Sequence, residues 1–153
     1  MTKSMKYLIL TLSIFMSTTT FANDTIVAVK SPYSVEQTSD RLEAIIKEKG
    51  LNFFARINHA ANAEKVELEL RPTELVLFGN PAAGTPIMNC AQTAAIDLPQ
   101  KALIWEDENQ QVWLGYNPPS YLQKRHDIEG CERVLEKVTG LLANLAAAAT
   151  ATE

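Results

Sequence analysis

The chain has 153 residues, of which 46% are hydrophobic and 21% charged, with 14 basic against 18 acidic side chains. That balance gives one domain with a core of its own and excludes disordered, fibrous and collagen-like architectures, for which six Gly and seven Pro are too few. A net charge of -4 without a Lys/Arg cluster excludes a nucleic-acid partner, whose phosphates require a basic face.

Lys3 and Lys6 precede an apolar run over residues 7–16 that only Thr11 and Ser13 interrupt, and Thr20-Phe21-Ala22 supplies small side chains at the positions signal peptidase reads. The run is about half the roughly 20 residues a spanning helix needs. Residues 1–22 are therefore expected to be a cleaved secretory signal peptide, which makes the mature protein periplasmic or secreted, with no stable membrane anchor. In an oxidising compartment the two cysteines, Cys90 and Cys131, are a candidate disulfide. The alternative is that both are buried as small apolar side chains.

A β-branched run over residues 25–30 predicts a first strand. Ser34-Val35-Glu36-Gln37 has the form of a capping box, and Val35, Leu42, Ile45 and Ile46 share one helical stripe as far as Gly50, which predicts a helix over 35–49. Residues 51–57 read as a strand, Asn58 as the cap of a short helix, and 73–78 as a strand central to the sheet. Thr85-Pro86 predicts a helix start with Thr85 as N-cap, running to about Ala95. Residues 101–106 and 111–116 form a predicted hairpin, 121–126 a short helix, and the stripe Val134, Leu135, Val138, Leu141, Leu142, Leu145 a long helix that frays into an Ala-rich tail over 148–153. The order predicts an α+β fold, a mostly antiparallel sheet with helices on one face. If Leu77, Leu103 and Leu114 point to the helices, then Phe54, Val76, Phe78, Ile104 and Trp113 form a second apolar face that a protomer or a ligand must cover.

Short catalytic signatures for dinucleotides, zinc proteases, thioredoxin-type redox and serine hydrolases are absent from the chain. Gly79-Asn80-Pro81-Ala82-Ala83-Gly84-Thr85 keeps the two-glycine spacing of a phosphate loop but lacks its Lys, which leaves at most a small-anion cradle or a capped turn. His59, at a strand end, is the candidate base or ligand, whereas His126 in Lys124-Arg125-His126 reads as solvated. No paired-ligand spacing announces a metal site, and no cofactor is identified.

Ile57-Asn58-His59-Ala60-Ala61-Asn62-Ala63, Leu70-Arg71-Pro72-Thr73-Glu74-Leu75, Phe78-Gly79-Asn80-Pro81 and Gly84-Thr85-Pro86-Ile87-Met88 together resemble the bacterial domain of unknown function 302 family. Asp97-Leu98-Pro99, Trp113, Tyr116 and Asn117-Pro118 continue the likeness. It extends over residues 33–145, and it divides the chain into a segment 23–32 with the first strand, a domain over 33–147 and the tail. The resemblance implies a curved antiparallel sheet of about five strands with helices on one face, an architecture like that of the TATA-box-binding protein, commonly paired as a homodimer. It implies no reaction. It marks His59, Asn80, Asp97 and, more weakly, Arg125 as ligand-binding candidates.

The expected function is a non-enzymatic periplasmic binding or accessory module acting as a homodimer, with a small ligand or an envelope protein as partner. The alternative is an enzyme or metal-dependent redox protein using His59 with Asp97 or Cys90. A structural envelope protein is a third reading.

Overall fold

The computed structural model describes residues 26–152, so the predicted signal peptide lies outside the described residues. Five strands form one antiparallel sheet: β1 (Val27–Ser31), β2 (Asn52–Asn58), β3 (Thr73–Gly79), β4 (Gln100–Glu106) and β5 (Val112–Tyr116), in the spatial order β1-β5-β4-β3-β2. The helices are α1 (Val35–Glu48), α2 (His59–Glu64), α3 (Pro81–Cys90), α4 (Pro119–His126) and α5 (Glu132–Thr150), with a 3-10 turn over Gln92–Ile96. The fold is α+β, as the element order predicts. The middle of the sheet is β4, and β3 lies between it and the edge strand β2.

Helices α1 and α5 pack against each other and together cover one sheet face. The α1 stripe buries Val35, Leu42 and Ile46, and its start carries the capping box: the Gln37 N–H donates to Ser34 Oγ at 3.1 Å, and the Ser34 N–H donates to Gln37 Oε1 at 3.2 Å. From α5 come Leu135, Val138, Leu142 and Leu145. This helix does not fray at its alanines. It stays helical to Thr150, and Ala146, Ala149 and Thr150 are buried, so the helix end packs on the core rather than forming a tail, with Ala147 and Ala148 on its exposed side. The helix end is held from outside: Arg41 of α1 donates to the carbonyls of Ala149 and Ala151, each at 3.0 Å, and the Tyr33 hydroxyl donates to Ala151 O at 2.9 Å. A cation at this end satisfies orphan carbonyls and complements the helix dipole.

The phase of the sheet is the reverse of the expected one for five residues of β3 and β4. Val76, Phe78 and Ile104 face the helices and are at most 2% exposed, while Leu77 and Leu103 lie on the far face. Register decides this. Val76 stands opposite Ala102 and Ile104 opposite Leu114, and directly opposed residues share a face, so Ile104 and Leu114 must point the same way. The far face still carries a large apolar set: Leu75, Leu77, Leu103, Trp105 and Trp113, all half-buried, with the two indoles stacked at 6.4 Å between centroids. Phe54 sits at a register shift in β2 and is 54% exposed.

A buried carboxylate joins α1 to the β2 edge. Glu74 lies on the helical side of β3 with its side chain 6% exposed, and it accepts from Arg56 Nε at 2.6 Å and from Asn58 Nδ2 at 3.0 Å. Arg56 also pairs with Asp40 of α1. Burial by itself would lower the Arg56 pKa, but the hydrogen bonds and charges of Glu74 and Asp40 outweigh it and the net shift is upward.

The β4–β5 hairpin is closed by Asp107. Its carboxylate accepts from the N–H groups of Asn109 and Gln111, at 2.8 and 3.0 Å, and from Trp113 Nε1 at 2.8 Å. The Trp113 hydrogen bond is the leading cause that holds the Asp107 pKa below its ordinary value of 3.8. A carboxyl depressed in the folded state contributes stability above its unfolded pKa and loses it as pH falls through the folded value. Asp107→Asn is therefore expected to melt lower than the parent at pH 7 and to show a smaller further loss of Tm between pH 4 and pH 2, measured by thermal denaturation across that range.

Candidate functional site

A cavity of about 310 Å³ lies at the end of the sheet where β3 runs into α3, walled by Phe78, Ile87, Leu98, Val138 and Leu141 with the Phe54 ring at one side. Asn80, Thr85 and Gln100 are its few polar lining residues. The wall formed by α3 starts earlier than the Thr85 cap expected from the sequence. Asn80 is the N-cap, its side chain accepting from the Ala82 N–H at 2.9 Å, and Pro81 occupies the first turn. Pro at that position has no N–H to orphan, which makes Asn80-Pro81 the stronger start. Thr85 and Pro86 then fall inside α3. Pro86 removes one interior backbone bond, and the helix ends at Cys90, ahead of the 3-10 turn.

Cys90 and Cys131 are joined in a disulfide with their Cα atoms 6.4 Å apart. The bridge spans 41 positions and ties the last residue of α3 to the N-cap of α5. Closing a loop of that length is worth about 4 kcal/mol on the chain-entropy account.

The ligand-binding candidates divide between the two ends of the sheet. Asn58 pairs with Glu74 and Asn52 with Gly79, so His59, just after Asn58, lies at the opposite end of β2 and β3 from Asn80, roughly 20 Å away at strand rise. Asp97 precedes β4, whose Gln100 pairs with Phe78, and so shares the Asn80 end. His59 is exposed at the start of α2 and meets neither Asn80 nor Asp97, and Cys90 is taken up by its disulfide. The constellation required by an enzyme or redox site built on His59 with Asp97 or Cys90 is not assembled.

Asp97 has different partners. Its carboxylate meets His126 Nε2 at 2.6 Å and Arg125 Nη1 at 3.3 Å, and His126 Nδ1 lies 3.1 Å from Thr93 Oγ1. The His126 side chain is 6% exposed, which corrects its reading as a solvated residue. Arg125 also donates to the Tyr121 hydroxyl, and this hydrogen bond, with the charge of Asp97, raises the Arg125 pKa. Meanwhile Lys101 Nζ donates to the backbone carbonyls of Asp97 and Pro99, at 2.6 and 3.2 Å. These bonds fasten α4 and the start of β4 to the segment 93–99. None of Thr93, Asp97, Arg125 and His126 lines the cavity. The signal missed in the sequence is that adjacent Arg and His in the last turn of α4 can both face one carboxylate.

Among the described residues no group of three or more His, Cys, Asp or Glu side chains could hold a metal ion. No helix among them is long and apolar enough to cross a membrane.

Fold and cavity together define a small α+β domain with a two-helix layer on one sheet face and an apolar pocket at the sheet end. The chain belongs to the domain of unknown function DUF302 family, which it matches over residues 27–145. It is 45% identical over 103 residues to "Fluoride-specific ion channel FluC 1" of Brucella suis biovar 1, covering 67% of this chain and 41% of that one. The same identity and span hold for "Fluoride-specific ion channel FluC 2" of Brucella melitensis biotype 1, there covering 38%. The chain thus spans about two fifths of the length of these curated relatives. The crystal structure of an uncharacterized conserved DUF302 protein from Bacillus stearothermophilus superposes with a TM-score of 0.71 at 17% identity, covering 79% of this chain and 94% of that one. It shares the fold.

The bridge between α3 and α5 generates an expectation. Replacing both Cys90 and Cys131 by Ser should lower stability by about 4 kcal/mol, read from urea unfolding. Native protein without reductant should take up no thiol reagent, whereas labelling of both residues under native conditions would show that the bridge is not made.

Proposed function

We propose that the protein is an exported, non-enzymatic binding module that works as a homodimer and holds a small apolar ligand in the cavity beside α3. The observation that carries this reading is the cavity itself. It is almost wholly apolar, it has a few polar groups at Asn80, Thr85 and Gln100 to fix orientation, and its volume is at the lower end of the range of small-molecule sites. Export rests on the signal-peptide pattern of residues 1–22. The relatives named as fluoride channels support an accessory role beside an envelope protein, because more than half of each lies outside the matched stretch. From their name we carry over only that association.

The test of binding is uptake of a neutral fluorescent dye. N-phenyl-naphthylamine is expected to gain fluorescence on binding the purified mature protein. A Cβ built at Gly84, which lines the cavity, would meet only Leu98 Cδ1, at 3.8 Å, so Gly84→Phe should fit the fold while filling the space and abolishing the signal. An unchanged signal in that variant would place the dye elsewhere and defeat the reading.

Homodimerisation is supported by the far sheet face, where the half-buried Leu75, Leu77, Leu103, Trp105 and Trp113 form an apolar patch that no helix covers and that a second copy could cover. Sedimentation equilibrium at micromolar concentration should report twice the mature mass. Leu103→Glu should shift it to the monomer, and a parent protein that is already monomeric removes the dimer from the proposal.

A further inference from the structure

Beside the apolar cavity lies a second cleft of about 550 Å³ between α3 and the first turns of α5, and the two share the lining residues Asn80, Ala83, Val138 and Leu141. The second cleft carries Arg133 and Lys137. These are four apart on α5, and Leu141, four further on, belongs to both spaces, so one helical stripe passes from two cations to the apolar wall. Building on the binding reading above, we propose that the ligand is a single-chain anionic amphiphile of the free fatty-acid type. Its chain occupies the cavity and its carboxylate lies on Arg133 and Lys137.

Charge complementarity selects this class. Both side chains are exposed, and among the described residues no ion pair or hydrogen bond engages either. Of their acidic neighbours on α5, Glu132 is turned to the Gly130 N–H at 3.0 Å, and Glu136, three positions after Arg133, is exposed and forms no ion pair with either cation. Arg133 also sits in the first turn of α5, the positive end of the helix dipole, where a cation is unfavourable to the helix and an anion favourable. The helix dipole therefore gives no reason for a cation there. A carboxylate on Arg133 reverses that sign, and it would be the charge-assisted, bidentate kind of contact that guanidinium makes best. An uncharged chain would fill the same cavity and leave both cations solvated.

The experiment is calorimetric titration of the full mature protein with laurate and with dodecanol, a neutral chain of equal length. Laurate is expected to bind about tenfold or more tightly than dodecanol, as one or two charge-assisted contacts provide. Arg133→Gln combined with Lys137→Gln should erase that preference and leave dodecanol unchanged, and Lys137→Glu alone should weaken laurate in the same direction. Equal binding of the two probes, or a laurate affinity indifferent to these variants, overturns the amphiphile while the apolar cavity reading stands. If neither probe nor the naphthylamine dye binds, the cavity reading itself has failed. Co-sedimentation with phosphatidylglycerol vesicles without laurate binding would assign the cations to a bilayer headgroup and likewise overturn the proposal.

Discussion

Helix α3 buries only Ile87 completely and carries a proline in its interior, so packing and backbone bonding alone hold it weakly, and the cavity exists only while it stays in place. Burying one aliphatic side chain contributes about 2–3 kcal/mol, and an Asn cap adds about 1. The Cys90–Cys131 bridge, at about 4 kcal/mol, exceeds either. It also acts at the right place, because Asn80 fixes the start of α3 against the end of β3 and the disulfide fixes its end against the start of α5. The wall of the pocket is therefore a short segment clamped at both ends, and the space between it and Val138 and Leu141 follows from that clamp.

Much of the fold was legible because its signals are local. The Ser34–Gln37 capping box, the Asp107 turn and the α5 stripe each depend on residues a few positions apart. The phase of the sheet was not legible. Leu75-Val76-Leu77-Phe78 is apolar at every position, so alternation supplies no phase, and only the pairing of β3 with β4 decides which two residues face the helices. The Ala-rich end of α5 misled for a different reason. Alanine reads as neither core nor tail, yet at this end it lets Arg41 and Tyr33 reach the last carbonyls.

Polar residues at strand ends attract functional readings, and here two of the four candidates are fully used by the scaffold. Asp97 and Arg125 are committed to each other and to His126 and Tyr121, an arrangement whose geometric consequence is to hold α4 against the segment leading into β4. Asn80 does both jobs, capping α3 and lining the cavity. His59 was placed correctly at a strand end, but antiparallel pairing sends consecutive connections to opposite ends of a sheet. The turns after β2 and after β3 therefore could not meet. Sequence can mark which residues leave a sheet. Topology alone says which of them leave by the same edge.

The two ends of α5 show where this chain departs from what its own helix prefers. At the C-terminal end the dipole is answered by a cation brought from another helix, Arg41, at a place where cations stabilise. At the N-terminal end the sequence supplies Glu132 in the favourable sense and then Arg133 in the unfavourable one, one turn before Lys137. Core packing does not demand that order, since both basic side chains are exposed and the buried stripe is carried by Leu135, Val138 and Leu142. A local choice that opposes the stability of its own element, with no packing reason for it, is where a sequence is answering to something outside the fold. In this protein that place borders the apolar cavity that the clamped helix α3 walls.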